Sequence, residues 1–166
     1  MPAKVSSSLL DPWLTVPLKS RYRLFHIPAS LPPEAIVIGG HLFAVAAAFA
    51  FAFADQYSIA GALASLGVVM NHTCDVLDGT HARRTGQCRN GGELLDHFVD
   101  PLSFAYWITG ISVAVDCLAL GLAGVICLFA TAVLTNIRAK LTGEFRLSWF
   151  GPTEFKLLLI GLAVFQ

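Results

Sequence analysis

The chain has 166 residues, of which 55% are hydrophobic and 13% charged, and its eleven basic and eleven acidic side chains cancel to no net charge. Average soluble proteins carry about 25% charged residues, so roughly half the usual charge is missing, and the mean hydropathy is +0.67. That excludes a water-soluble globular domain, a disordered chain and a nucleic-acid binder, and it leaves a small integral membrane protein. Its cysteines, Cys74, Cys88, Cys117 and Cys127, show neither metal-type spacing nor a disulfide framework.

Residues 1–33 contain no apolar run long enough for a signal peptide or a membrane span. Trp13, Leu14, Leu18, Tyr22, Leu24 and Phe25 alternate with Lys19, Arg21 and Arg23. This mixture predicts a segment lying along the cytoplasmic interface with its basic groups toward anionic head groups; the alternative is a disordered basic tail.

Residues 34–166 form the second unit, a transmembrane domain. A spanning helix needs about 20 mostly apolar residues. Ala35 to Ala54 meets this with His41 as its one polar exception. Tyr57 to Leu77 turns polar at its end, Asp96 to Val115 begins polar, and Cys117 to Thr135 is apolar throughout. A fifth segment starts near Phe155, where Pro152 and Thr153 mark a helix start. Its residues up to Gln166 would rise only about 18 Å as a helix, so the reading expects a C-terminally truncated domain. The fold class is therefore all-α, a polytopic transmembrane helix bundle.

Alternating these spans places segments 1–34, 78–95 and 136–154 on one side, with Lys156 just beyond. All eleven basic residues then face one compartment, while the opposite turns hold Asp55 and Asp116. The positive-inside rule makes that compartment the cytoplasm.

Charged groups inside spans are expensive and functional by default. Asp75 and Asp78 lie one turn apart on one helix face, and Asp96 and Asp100 do so on the next helix. If those helices are neighbours, four carboxylates converge on a cytoplasm-facing cavity. Like-charge repulsion would protonate some of them unless cations intervene. Hard oxygen donors suit Mg²⁺ or Mn²⁺ and not zinc, and a two-ion site is the usual arrangement for clamping phosphate oxygens. Gly79 permits close approach of a ligand, Ala82 is small, and Arg83 offers a bidentate fork to phosphate.

The stretch from Asp75 to Asp100 fits the pattern D-x2-D-G-x2-A-R-x8-G-x3-D-x3-D at every fixed position. It resembles the signature of the CDP-alcohol phosphotransferase family of membrane enzymes. The resemblance implies six spans, of which the last part is missing here. It also implies Asp75, Asp78 and Asp96 as metal ligands, with Asp100 a ligand, a base, or both. Gly79, Ala82 and Gly92 would line the CDP pocket, and Arg83 would meet phosphate, with a structural ion pair as its rival role. The implied reaction is attack of an alcohol hydroxyl on the β-phosphorus of a CDP-linked donor, releasing CMP. Homodimers are common in the family.

The family divides by which substrate carries the lipid. Ala82-Arg83-Arg84-Thr85 followed by Gly92-Glu93-Leu94-Leu95-Asp96-His97 is similar to the ethanolamine/choline branch, as is Gly151-Pro152-Thr153-Glu154. Gly91, Phe98 and Val99 depart from it. The reading leans to a CDP-ethanolamine or CDP-choline donor and a diacylglycerol acceptor. Phosphatidyl transfer from CDP-diacylglycerol to inositol phosphate, glycerol phosphate or serine is the alternative. A transporter or channel subunit that uses its carboxylates for cations, and an inactive truncated paralogue serving as a dimer partner, are rivals from other classes.

Among the histidines, His97 is a candidate general base, although it points about 100° away from Asp96 around the helix. His72 is placed to orient Asp75 or to make a structural hydrogen bond. His41 is expected to bond between helices, and His26 and His81 are expected to be solvated. Asn71 and Thr73 are candidates for the nucleotide pocket, and Glu154 for the donor's amine or a helix cap.

Overall fold

The computed structural model describes residues 3–6, 8–147 and 149–164. After a short strand β1 (Ala3–Ser6) come helix α1 (Thr15–Ser20) and a 3₁₀ turn over Tyr22–Phe25. Four long helices follow: α2 (Pro33–Ala52), α3 (Ser58–Thr85), α4 (Asn90–Ala114) and α5 (Leu118–Thr142). Strand β2 (Glu144–Leu147) and helix α6 (Pro152–Val164) complete the described chain.

Local chemistry sets the helix ends. Pro33 starts α2 with its missing N–H where no intrahelical bond is needed, and Glu34 complements the helix dipole. Gly86 ends α3 at φ 71°, a left-handed turn that L side chains adopt reluctantly. Pro152 opens α6, and Glu154 reaches back to accept the Gly151 N–H at 2.8 Å, half of a capping box.

Helices α3 and α4 each pack on α2, α5 lies on α4, and α6 lies on α3. Lipid offers little hydrophobic drive between helices, so close contact of small residues must do the joining. At Gly67 an added Cβ would sit 2.7 Å from the Ala47 Cβ, and at Gly40 it would sit 2.8 Å from the Cys74 Cβ. The core at the α2–α4 seam is Trp107, fully buried, whose indole N–H donates to the Ala44 carbonyl at 2.9 Å while Phe104 meets it edge-on. His41 lies 3.4 Å from the Ser103 hydroxyl and against the Tyr106 ring, the interhelical role expected of it.

Helices α2, α3 and α5 are long and apolar enough to cross a membrane. The α4 helix is as long as α5 but carries more polar side chains, among them three hydroxyls that are satisfied within the helix. Ser103 and Ser112 are buried, and Ser103, Thr109 and Ser112 donate back to carbonyls of the preceding turn. Along α5, large apolar side chains from Leu118 to Leu141 stand exposed, and Gly121 and Ala139 are its buried residues. Such a surface is suited to lipid.

The helical class holds, with one addition that hydropathy did not signal. Strand β1 pairs in parallel with β2, Ala3 opposite Glu144 and Ser6 opposite Leu147. The same end of the bundle gathers further contacts from the N-terminal segment. The Asp11 carboxylate accepts from Thr153 at 2.7 Å, and Glu154 accepts from the Ser8 hydroxyl at 2.6 Å and the Leu10 N–H at 3.1 Å. Gln87 donates to the Ala29 carbonyl at 2.8 Å. Segments before α2, after α3 and after α5 thus meet at one end.

Candidate active site

At that end, α3 and α4 bring their carboxylates to a single narrow cleft. Asp75 and Asp78 come from α3, Asp96 and Asp100 from α4. Val37 and Gly40 of α2 form its floor, and Asn71 and Val99 complete the wall. Gly40 matters here because the close approach of Cys74 draws α3 down onto α2 beside Asp75.

Oxygens of Asp75, Asp96 and Asp100 lie within 4.8 Å of one another. This is the set that the described residues bring together most tightly. Asp78 lines the same cleft but stands outside that set; its buried carboxylate accepts the N–H of Gly79. The expected four-carboxylate convergence is thus a compact trio with a neighbour. The donor set fits a hard divalent cation: every ligand atom is a carboxylate oxygen, and Asn71 adds a buried Oδ1 with no hydrogen-bond partner among the described residues. The Asn71 Nδ2, by contrast, is used, donating to the Gly40 carbonyl at 3.1 Å.

Lys156 is the residue that sequence reasoning missed. Its side chain is 3% exposed, and the ammonium donates to Asp75 Oδ2 at 2.7 Å and lies 5.7 Å from the Phe104 ring centre. Charge patterning alone places it among the charges bordering the membrane. A lone lysine within an apolar helix was the available signal.

The other expected site residues surround the cleft without lining it. Arg83 is exposed and folds back over Gly79, where an added Cβ would lie 3.3 Å from the guanidinium. Ala82 ends α3 by accepting the Gln87 N–H at 2.9 Å. Gly92 sits near Glu34, whose Oε1 is also 3.8 Å from Arg89. His97 is half-buried on α4 beside Asp96 and is not part of the cleft wall. Thr73 is bonded within its own helix, to the Val69 carbonyl.

Three of the remaining readings meet clear outcomes. His72 Nδ1 is 4.0 Å from Asp75 Oδ2, too far to orient it by a hydrogen bond, and neither ring nitrogen has a hydrogen-bond partner among the described residues. His81 is fully buried, not solvated: Tyr22 Oη is 2.5 Å from its Nδ1 and the Leu31 carbonyl 2.8 Å from its Nε2. Glu154 is engaged in capping α6 and in holding the N-terminal segment. Burial pushes its carboxyl up, but hydrogen bonds from Ser8, Gly151, its own N–H and Leu10 outweigh that and hold it below the usual range.

Fold and site together define an integral membrane protein of helical build, with an acidic cleft suited to a divalent cation at one end of its bundle. The family model for CDP-alcohol phosphatidyltransferase matches residues 31–166. The chain belongs to that family. Cholinephosphotransferase 1 of Gallus gallus is 32% identical over 114 residues, 65% of this chain and 33% of the chicken protein. Cholinephosphotransferase 1 of Bos taurus is 43% identical over 53 residues, 32% of this chain and 13% of the bovine protein. CDP-diacylglycerol--serine O-phosphatidyltransferase of Encephalitozoon cuniculi is 32% identical over 137 residues, 76% of this chain and 35% of that protein. The chain therefore spans about a third or less of the length of these relatives, and they fall on both sides of the donor question.

Proposed function

We propose that the protein transfers a substituted phosphate from a CDP-linked donor to an alcohol, with release of CMP, at the cleft between α3 and α4. The observation that carries this reading is the trio Asp75, Asp96 and Asp100, gathered from two helices within the family's matched region. Asp75, Asp96 and Asp100, with Asp78 beside them, would hold Mg²⁺ or Mn²⁺ in a two-ion site. Bound there, the ions would neutralise the diphosphate and stabilise the departing CMP.

The chain's own residues do the rest. Arg83 meets phosphate oxygens at the rim, and Gly79, Ala82 and Gly92 leave room for the CDP moiety. Asp100 takes the proton from the acceptor hydroxyl as its oxygen bonds to the β-phosphorus and the bond to the CMP phosphate breaks. His97 is the competing base; the cleft position of Asp100 favours the carboxylate.

We place the active site at the cytoplasmic face of a multi-pass protein. The support is electrostatic and structural: the basic segments 1–34, 78–95 and 136–154 meet at the end of the bundle that holds the cleft. The donor is of the CDP-choline or CDP-ethanolamine type, with diacylglycerol as acceptor, in keeping with the ARRT and GPTE segments and the cholinephosphotransferase relatives. A second reading, phosphatidyl transfer from CDP-diacylglycerol to a soluble alcohol, is favoured by the Encephalitozoon relative, whose match covers more of the chain.

One experiment tests both. Purified protein is given CDP-choline, CDP-ethanolamine or CDP-diacylglycerol with the matching acceptors and Mg²⁺, and CMP is measured. Release that stops on adding EDTA supports the proposal, and the donor used chooses between the readings. Absence of CMP with every donor would overturn it.

A further inference from the structure

Lys156 stands out as the buried charge that the proposed chemistry leaves unused. It comes from the second turn of α6, a helix otherwise apolar beyond Glu154, and it reaches across to α3. Its position is built, not incidental. Leu159 and Ala163 bury α6 in the core, and the Ala163 carbonyl abuts Gly61 of α3, which fixes the register of the two helices. Phe155 meets Phe104 edge-on, and the Phe104 ring flanks the Lys156 ammonium. The ammonium is thereby delivered to Asp75 Oδ2 at 2.7 Å, on a carboxylate of the 4.8 Å trio.

Three half-buried carboxylates this close repel one another. A fixed ammonium offsets part of that repulsion and keeps Asp75 oriented. The same positive charge opposes any second cation that engages the trio, because both draw on the same oxygens.

We propose that Lys156 is the aspartate set's built-in counter-ion, a positioning residue that divalent cations must compete with, so that it holds the site open and weakens its metal affinity. This rests on the reading of Asp75, Asp96 and Asp100 as a cation site. It makes metal affinity a property of how α6 docks on α3, and not only of the motif.

The test is Mn²⁺ binding to the full chain in detergent at neutral pH and constant ionic strength, followed by electron paramagnetic resonance. Removing a unit charge so near the site in Lys156→Met should tighten Mn²⁺ binding by about threefold or more. Lys156→Arg, which keeps the charge, should stay within about twofold of the parent on the same electrostatic grounds. Asp75→Asn should lose binding. If Lys156→Met binds Mn²⁺ no tighter than the parent while Asp75→Asn loses it, the counter-ion proposal fails and the cation site stands. If the parent binds no Mn²⁺, the cation site itself fails, and the proposal goes with it. Should Lys156→Met unfold in EDTA, recovery of folded protein on purification with Mn²⁺ supports the proposal, since the ion then replaces the missing charge. Failure to fold in either condition overturns it, because Lys156 is then a packing element.

Discussion

The phenolic oxygen of Tyr22 lies 2.5 Å from Nδ1 of His81, and the opposite ring nitrogen of that histidine is 2.8 Å from the carbonyl of Leu31. A carbonyl can only accept, so Nε2 carries the proton and Nδ1 accepts from Tyr22 in the neutral ring. Arg84 adds its guanidinium carbon 4.9 Å from the centre of the Tyr22 ring. The segment preceding α2 is thus fastened to the end of α3 within the aspartate motif.

Tyr22→Phe, which removes the hydroxyl and leaves Nδ1 buried without its donor, should destabilise this docking by about 1–3 kcal/mol. Limited trypsinolysis around Arg21 and Arg23 reads it out. Faster cleavage than in the parent is expected, and unchanged cleavage would contradict the anchoring role.

Asp75→Asn and Asp96→Asn should each lower CMP release by about a hundredfold or more, as losing a preorganised charge-stabilising group does, while membrane insertion is unchanged. Substantial turnover by either variant would count against the proposed ligand set.

Trp107 is fully enclosed and bonded to Ala44. Trp107→Ala should lower stability by about 3–5 kcal/mol on the scale of other buried Trp truncations, as measured by denaturant titration in mixed micelles. Gly67→Leu should also destabilise, because even a Cβ there would press on Ala47 and on the Phe43 carbonyl. A neutral result for either would mean that α2 does not hold its partners as described.

The carboxyl of Glu154 is held below the usual range, so its contribution follows a definite sign. It is fully present above the unfolded value of 4.5, and it is lost as pH falls through the lower folded value. Accordingly, protease resistance of the N-terminal segment should weaken as pH drops below the ordinary glutamate range. Glu154→Gln should show less of that acid-dependent change, and an identical pH profile for variant and parent would refute the assignment.

Much of the site is legible in the amino-acid sequence. Aspartates at one-turn spacing, at the polar ends of two apolar runs, announce a shared acidic edge, and His41 behaves as a lone polar group inside a span should. Three features were hidden because they depend on pairings between distant segments. Lys156 reaches Asp75 only through the register of α6 on α3, which the Gly61–Ala163 contact sets. His81 is buried because residues 22–31 fold over it, and no local pattern on its own helix says so. The parallel pairing of Ala3–Ser6 with Glu144–Leu147 joins strands more than a hundred residues apart. Asp78 differs from Asp75 by a smaller matter, the direction of one carboxylate toward its own backbone.

Helix α2 contributes none of the four aspartates, yet α3 and α4 both rest on it. It behaves as a spacer gauge: the gap between the two acidic walls is inherited from its girth at Val37 and Gly40. Bulk added on that uncharged helix would widen the gap while leaving every carboxylate in the sequence, and a variant with an intact motif could be inert for that reason alone.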